Sequence, residues 1–305
     1  MAISILSNYA ANKAAFALNK NNVQLNKSLN RLSSGKQIVT PADDAGGLAV
    51  SMKLSSAIGR NKSILSNIQN AHSFAEVQDG ALSSAATIVD RMAELKALSL
   101  DVVKSDGDRA NYSTEFKSLQ NQLYAITEET FNSVTLFSAE SSKVFGTDTI
   151  NVTIFTSDRG GSGAVVSLSK GLLISAMKFA DITSATPYTN AAADATATAT
   201  TNIGFANESG SEIEMDKLSL GFFRSAIENI ASLRATNAAG MARLQLAEDH
   251  VRLTMSNLEA ANSRIMDVDV AAESTRFAKY NILSQASAAM LAQANQAPST
   301  ALMLL

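Results

Sequence analysis

Cysteine and tryptophan are absent from the 305 residues, proline occurs three times and histidine twice. Without thiols the chain can form no disulfide, no cysteine nucleophile and no Cys-ligated zinc site. His72 and His250 stand far apart, each inside a stretch of helical pattern. They read as surface or packing residues, and a Ser-His-Asp triad or a His-rich metal centre has no material. Aromatics make up only 6%, which suits slender helix bundles better than a thick globular core. No apolar run reaches the roughly 18 residues that a membrane span requires. The start MAISILSNYA lacks the basic region, long apolar stretch and clear cleavage site of a Sec-type signal. A net charge of −3 gives no reason to expect nucleic acid. No cofactor is expected, because no phosphate-cradling glycine loop or clustered ligand set is present.

What the chain does have is heptads. Ile230, Leu244, Val251, Leu258 and Ile265 fall on one series spaced by seven, interrupted by Asn237. A second series three residues on reads Leu233, Gly240, Ala247, Thr254 and Ala261. At ~1.5 Å per residue the stretch predicts a helical rod on the order of 50 Å long. Its small positions predict a second helix lying close against it. Such a rod cannot bury its stripe alone, so the remainder of the chain has to supply partners.

Residues 1–40 carry five basic residues and no acid. Leu18, Leu25, Leu29 and Leu32 make a helical stripe, while Asn19, Asn21, Asn22, Asn26 and Asn30 crowd the other faces. Asparagine disfavours helix interiors, so this helix is expected to be marginal alone and to order against a partner. Ser33-Ser34-Gly35 ends it, and residues 40–47 (TPADDAGG) form a breaker-rich bend. Asp43 and Asp44 are expected to cap the next helix. That helix runs from about Leu48 to Val103. Ile64, Ile68, Ala71, Ala75, Gln78, Leu82, Ala85, Val89 and Met92 form a coiled-coil seam along it. Asp79-Gly80 could kink it, and residues 105–108 (SDGD) break it. A shorter helix with Phe116, Leu119, Leu123 and Ile126 as its stripe ends near Thr130.

The character then changes. Thr149 to Phe155 alternates apolar and polar residues, a glycine-rich loop follows, and Ala164 to Ser169 is a second strand candidate. Together they predict a hairpin. Pro187 to Asn202 is low-complexity Ala/Thr and reads as an exposed loop or a short outer element. Helix returns near Met215 and becomes the rod. After a break containing Asp267, Asp269 and Glu273, an almost uncharged helix carries Phe277, Tyr280, Leu283, Met290 and Leu291 to about Ala297. Lys279 is its only charge from Phe277 onward. The fold class expected is mainly α: long antiparallel coiled-coil helices from both chain ends, with a small β-rich middle region. Both ends carry more apolar surface than a soluble monomer leaves exposed. The simplest solution pairs the two terminal helices and turns their remaining faces to neighbouring subunits. Such heterologous contacts propagate as a filament if they do not close. Assembly, not catalysis, is the expected chemistry.

At both ends the residues are recognisable. LNRLSSGK (29–36) followed by ADDAGGLA (42–49), then DRMAEL (90–95) and TFN (130–132), resembles the N-terminal signature of bacterial flagellins. AANSRI (260–265), Asp267, Asp269, Val270, Ala271 and Glu273, then ILSQA (282–286), MLAQANQ (290–296) and Leu304-Leu305 are similar to the C-terminal signature. Departures include Ile3-Ser4-Ile5-Leu6 for the family's usual opening Leu-Arg-Ile-Asn, and Phe131-Asn132-Ser133 for Phe-Asn-Gly.

The resemblance implies a non-enzymatic subunit that self-assembles into the flagellar filament outside the cell. It implies a terminal inner-core domain (1–40 with 270–305), a helical-bundle domain with a β-hairpin (41–140 with 215–269) and a short variable surface region (141–214). Export through the type III apparatus with an export chaperone is implied, as are contacts with the filament cap and hook-associated proteins. The inner-core packing residues would be Leu18, Leu25, Leu29, Leu32, Leu283, Met290, Leu291, Leu304 and Leu305. Gly35, Asp43, Asp44 and Gly46 would shape the bend. Arg91, Leu95 and Glu115 match positions that contact neighbouring subunits or, in some flagellins, an innate immune receptor. The rival reading is a hook–filament junction protein. A protease inserted in residues 141–214 is disfavoured, since that stretch contains neither histidine.

Overall fold

The computed structural model describes residues 8–138, 150–177, 215 and 218–303, with the side chains of the last helix described as far as Gln296. The expected Ala/Thr loop at 187–202 lies outside the described residues. Six α-helices are present among them: α1 (Tyr9–Ser34), α2 (Ala45–Ser99), α3 (Asp106–Thr127), the single turn α4 (Leu173–Ala176), α5 (Leu220–Met266) and α6 (Val270–Met303). Four short strands lie between them: β1 (Thr130–Phe131), β2 (Val134–Thr135), β3 (Ile150–Phe155) and β4 (Val165–Lys170). The chain divides into two compact units, one of residues 1–59 with 254–305 and one of residues 60–253. The divisions fall inside α2 and α5.

In the unit of residues 60–253 the expected seam of α2 is buried: Ile68, Ala75, Leu82, Ala85, Val89 and Met92 are closed to solvent. α5 answers with Phe222, Phe223, Ala226, Ile230, Leu244 and Val251. Phe116 of α3 meets Phe223 edge to face at 6.0 Å. Asp79-Gly80 produces no break, and Asp79 instead receives both the Nε and Nη2 of Arg234 at 2.9 and 3.0 Å. The stretch 105–108 is not only a breaker. Ser105 is the N-cap of α3 in a reciprocal capping box with Asp108.

β3 and β4 form the expected antiparallel hairpin, with Ile150 opposite Lys170 and Phe155 opposite Val165. β1 and β2 form a smaller one that sequence reading passed over. Its two turn residues, Asn132 and Ser133, both have positive φ, 50° and 63°, as a two-residue primed turn requires. Gln78, inside the α2 seam, donates to the carbonyls of Leu136 at 2.9 Å and Ser169 at 3.3 Å. The polar interruption of the seam thus fastens β4 and the end of the β1–β2 hairpin to the helix. Asn237 does the same on α5, donating to the Ala75 carbonyl at 2.7 Å. The small position Gly240 admits a strand rather than a helix. A Cβ there would sit 2.7 Å from the Leu168 Cδ2 of β4.

The terminal unit is built on α1 and α6. Hydrogen bonds run from Asn8 to Ala294, from Asn21 to Leu283 and Ser287, and between Asn22 and Ser284. The falling partner numbers make the pair antiparallel, as expected from the sequence. α6 continues past Pro298 to Met303, beyond the end expected at Ala297. α1 stops where Gly35 takes up the left-handed conformation at φ 68°.

Candidate functional site

Sequence pattern put α1's leucines on its buried face, and the structure divides them. Leu18, Leu25 and Leu32 are half-buried in the seam with α6, and Leu291 is half-buried on the other side. Leu29, Leu283 and Met290 are exposed, at 50%, 38% and 57%. Leu304 and Leu305 lie outside the described residues. The asparagines expected to crowd the outer faces include the ones that join the helices. Asn21 donates to the Ser287 hydroxyl at 2.9 Å, and Asn22 accepts from Ser284 at 2.6 Å. Their spacing was the available signal: Ala11, Asn21, Leu25, Ser28 and Leu32 share one helical face. The seam is therefore largely polar, with Ser28 and Ser287 its most buried members together with Glu273.

Glu273 was expected to mark a break before α6. It is 3% exposed, lies 3.2 Å from Arg276 on its own helix and faces Arg31 of α1 at 3.8 Å. Asp269 is the capping residue there, accepting the N–H groups of Ala271 and Ala272.

The bend between α1 and α2 pairs with the bend between α5 and α6. Gln37 N–H donates to the Met266 carbonyl at 2.6 Å, and Val268 N–H to the Gly35 carbonyl at 3.0 Å. Asp43 and Asp44 divide the work assigned to both. Asp44 caps α2 by accepting the Gly47 N–H at 2.9 Å. Asp43 does not cap the helix. It accepts the N–H groups of Val39 and Thr40 and pairs with Lys27 at 2.6 Å, fastening the bend to α1. The Lys27 ammonium and those two amides hold its carboxyl well below the usual carboxylate range. Of the two adjacent glycines in the bend, Gly47 is the more tightly surrounded. A Cβ on Gly47 would run into the Asp44 carboxylate and reach Ile38 Cδ1 at 2.9 Å, whereas one on Gly46 makes an ordinary contact.

The matched trio on the middle helices separates as well. Arg91 is exposed and bonds Glu94 and Glu115, each at 2.9 Å. These two carboxylates raise its pKa. Leu95 is completely buried in the core of its own unit, which corrects its assignment to an outer contact surface. The seam's alternation steps next by four, from Met92 to Lys96, so that series did not mark Leu95. Among the described residues no group of acids and histidines could hold a metal ion. No helix there is long and apolar enough to cross a membrane. The arrangement offers apolar side chains held outward on rigid helices and a bend pinned by ion pairs.

Residues 5–142 match the family model described as the bacterial flagellin N-terminal helical region, and residues 220–305 match the bacterial flagellin C-terminal helical region. A flagellin of Bacillus subtilis (strain 168) is 31% identical, covering 98% of each chain. The flagellar filament 33 kDa core protein of Treponema phagedenis is 30% identical, again over 98% of each chain. A flagellin of Listeria innocua is 30% identical over 97% of each.

Proposed function

This chain belongs to the bacterial flagellin family and is a structural subunit of the flagellar filament; on that premise we propose how its parts serve assembly. Residues 1–40 with 270–305 form the inner core of the polymer. Residues 41–140 with 215–269 form the surrounding helical layer, and 141–214 face solvent. The observation that supports this reading most is the exposure of Leu29, Leu283 and Met290 after α1 and α6 have already paired. A monomer gains nothing by holding them on rigid helices, whereas a neighbouring copy buries them, each worth about 1.5–3 kcal/mol when fully covered.

The subunit is secreted unfolded through the type III apparatus with an export chaperone, and is added beneath a cap on a base of hook-associated proteins. The basic, acid-free N-terminus carries the export signal, and the lack of cysteine suits a chain in transit. Arg91 and Glu115 contact adjacent subunits. An innate receptor binding at this place would engage those two and not Leu95, which lies inside the core. No observation favours the hook–filament junction reading.

Electron microscopy of the concentrated, purified protein tests the assembly. Long filaments of uniform diameter are expected, and a chain lacking residues 297–305 should stay monomeric. Normal filaments from that truncation would overturn the role given to the C-terminal end.

A further inference from the structure

The hairpin of β3 and β4 has one edge in use and one open. Thr156 N–H donates to the Ala164 carbonyl at 3.0 Å, continuing the register that sets Ile150 opposite Lys170. In an antiparallel pair every second residue turns its main-chain groups to the partner strand. Ile150, Val152 and Ile154 therefore turn theirs to β4, and Asn151, Thr153 and Phe155 turn theirs away. The outer edge of β4 is taken. Its Ser169 carbonyl accepts from Gln78 at 3.3 Å, and the Gly171 carbonyl just beyond it accepts from Ser138 N–H at 3.1 Å. Among the described residues nothing pairs with the outer edge of β3. Asn151, Thr153 and Phe155 are exposed there, and the Phe155 ring is 47% open to solvent. Strand edges are ordinarily kept apart by charge or proline, and residues 150–155 (INVTIF) contain neither.

We propose that this edge takes β3 of a second copy, antiparallel and centred on Thr153, so that two hairpins become one continuous sheet. The edge itself selects this occupant. With Thr153 opposite Thr153 of the second copy, Asn151 falls opposite Phe155 and Phe155 opposite Asn151. Every outward main-chain N–H and carbonyl of β3 then meets another, and no other antiparallel register of these strands pairs them all. Thr opposite Thr is a favourable cross-strand pair. On the other face Val152 lies opposite Ile154 of the second copy, which extends the apolar side of the hairpin. The strand is uncharged, so self-pairing brings no like charges together. A two-stranded sheet is marginal by itself, and the added strands supply what it lacks. The contact is two-fold and closed. It joins copies two at a time, unlike the open contact that extends a filament, and it goes beyond the assembly reading above.

The absence of cysteine makes the test direct. Full-length Thr153→Cys is oxidised after centrifugation has removed any filaments. Paired residues at the centre of the contact have Cα atoms about 5.5 Å apart, within reach of a disulfide. Val165→Cys on β4 is the control, because its counterpart lies three strand spacings away, at least about 14 Å. Covalent dimer from Thr153→Cys should exceed that from Val165→Cys several-fold. A mixture of Asn151→Cys and Phe155→Cys copies then reads the register, and mixed dimers should exceed like-with-like dimers several-fold. Equal yields from positions 153 and 165, or like-with-like dimers in excess, would overturn the pairing. So would a Cys at position 153 that reacts with a maleimide reagent yet forms no dimer. One that resists the reagent would show the edge covered by its own chain and would overturn it too. Filament formation, followed separately by electron microscopy, stands or falls independently of these outcomes.

Discussion

The unit of residues 60–253 and the terminal unit are made of the same alanine- and leucine-rich helices, yet they place their apolar residues in opposite ways. In the first, Phe116, Phe223, Leu82, Leu95 and Leu168 are closed off, and the side-chain nitrogens of Gln78 and Asn237 fasten neighbouring elements. In the terminal unit the helix seam is held by Asn8, Asn21, Asn22, Ser284 and Ser287, while Tyr9, Phe16, Val23 and Met290 face outward. A net hydrogen bond contributes about 1 kcal/mol, less than a fully buried leucine or phenylalanine. The directional bonds therefore set the register of α1 on α6 at small gain in stability. The larger gain is left for contact with other copies. A subunit that must polymerise benefits from this division, because one part folds without help and the other is completed by neighbours.

The sharpest way to break the comparison is to remove one phenylalanine from each unit. Phe223→Ala should cost about 3–5 kcal/mol, seen as a lower thermal midpoint of the monomer. Phe16→Ala should leave the monomer within about 0.5 kcal/mol and instead raise the concentration needed for polymerisation. Equal destabilisation of the monomer by both would erase the distinction. Next in size, Gln78→Ala leaves the Leu136 carbonyl without its side-chain donor, and should cost about 1–3 kcal/mol. Faster hydrogen exchange in β4 and around Leu136 would report it.

Acid sharpens the contrast further. The folded pKa of Asp43 is depressed by Lys27 and two amides, and that of Asp79 by Arg234. Each pair's stabilisation is present above the unfolded value of about 3.9 and is lost as pH falls through the folded value. Asp43→Asn should flatten the acid limb measured by a probe in the terminal unit and leave a probe near Arg234 unchanged. Asp79→Asn should do the reverse. The smallest change expected is a gain. Ser133 holds φ 63° in the β1–β2 turn, and Ser133→Gly should stabilise the monomer by up to about 1 kcal/mol. The thermal midpoint measures it, and a lower midpoint would mean that the Ser133 side chain makes a contact worth more than the strain.

Helix positions, the hairpin at 150–170 and the pairing of the chain ends could all be read from the sequence. Heptad spacing, Gly35 and the alternation at Ile150, Val152 and Ile154 depend on nearest neighbours along the chain. The β1–β2 hairpin was not read, because two-residue strands leave no period to count and Asn-Ser is a weaker turn signal than Asn-Gly. The candidate site was legible only in part. The periodicity that marks Leu18 and Leu25 marks Leu29 no less, yet Leu29 is half exposed. Leu95 was assigned outward on resemblance, and the seam series, which steps from Met92 to Lys96, did not place it inward.

What the sequence determined by itself was the set of long helices and the family, since each follows from short-range spacing or from runs of residues. What only the tertiary structure decided was the object that each face meets. Gly240 receives a strand, Gln78 holds two carbonyls, Asp43 reaches back to Lys27, and asparagines fill the terminal seam. The physical reason is that periodicity fixes direction around a helix axis. Whether a direction ends in core, in a hydrogen bond or in open surface depends on residues tens to hundreds of positions away.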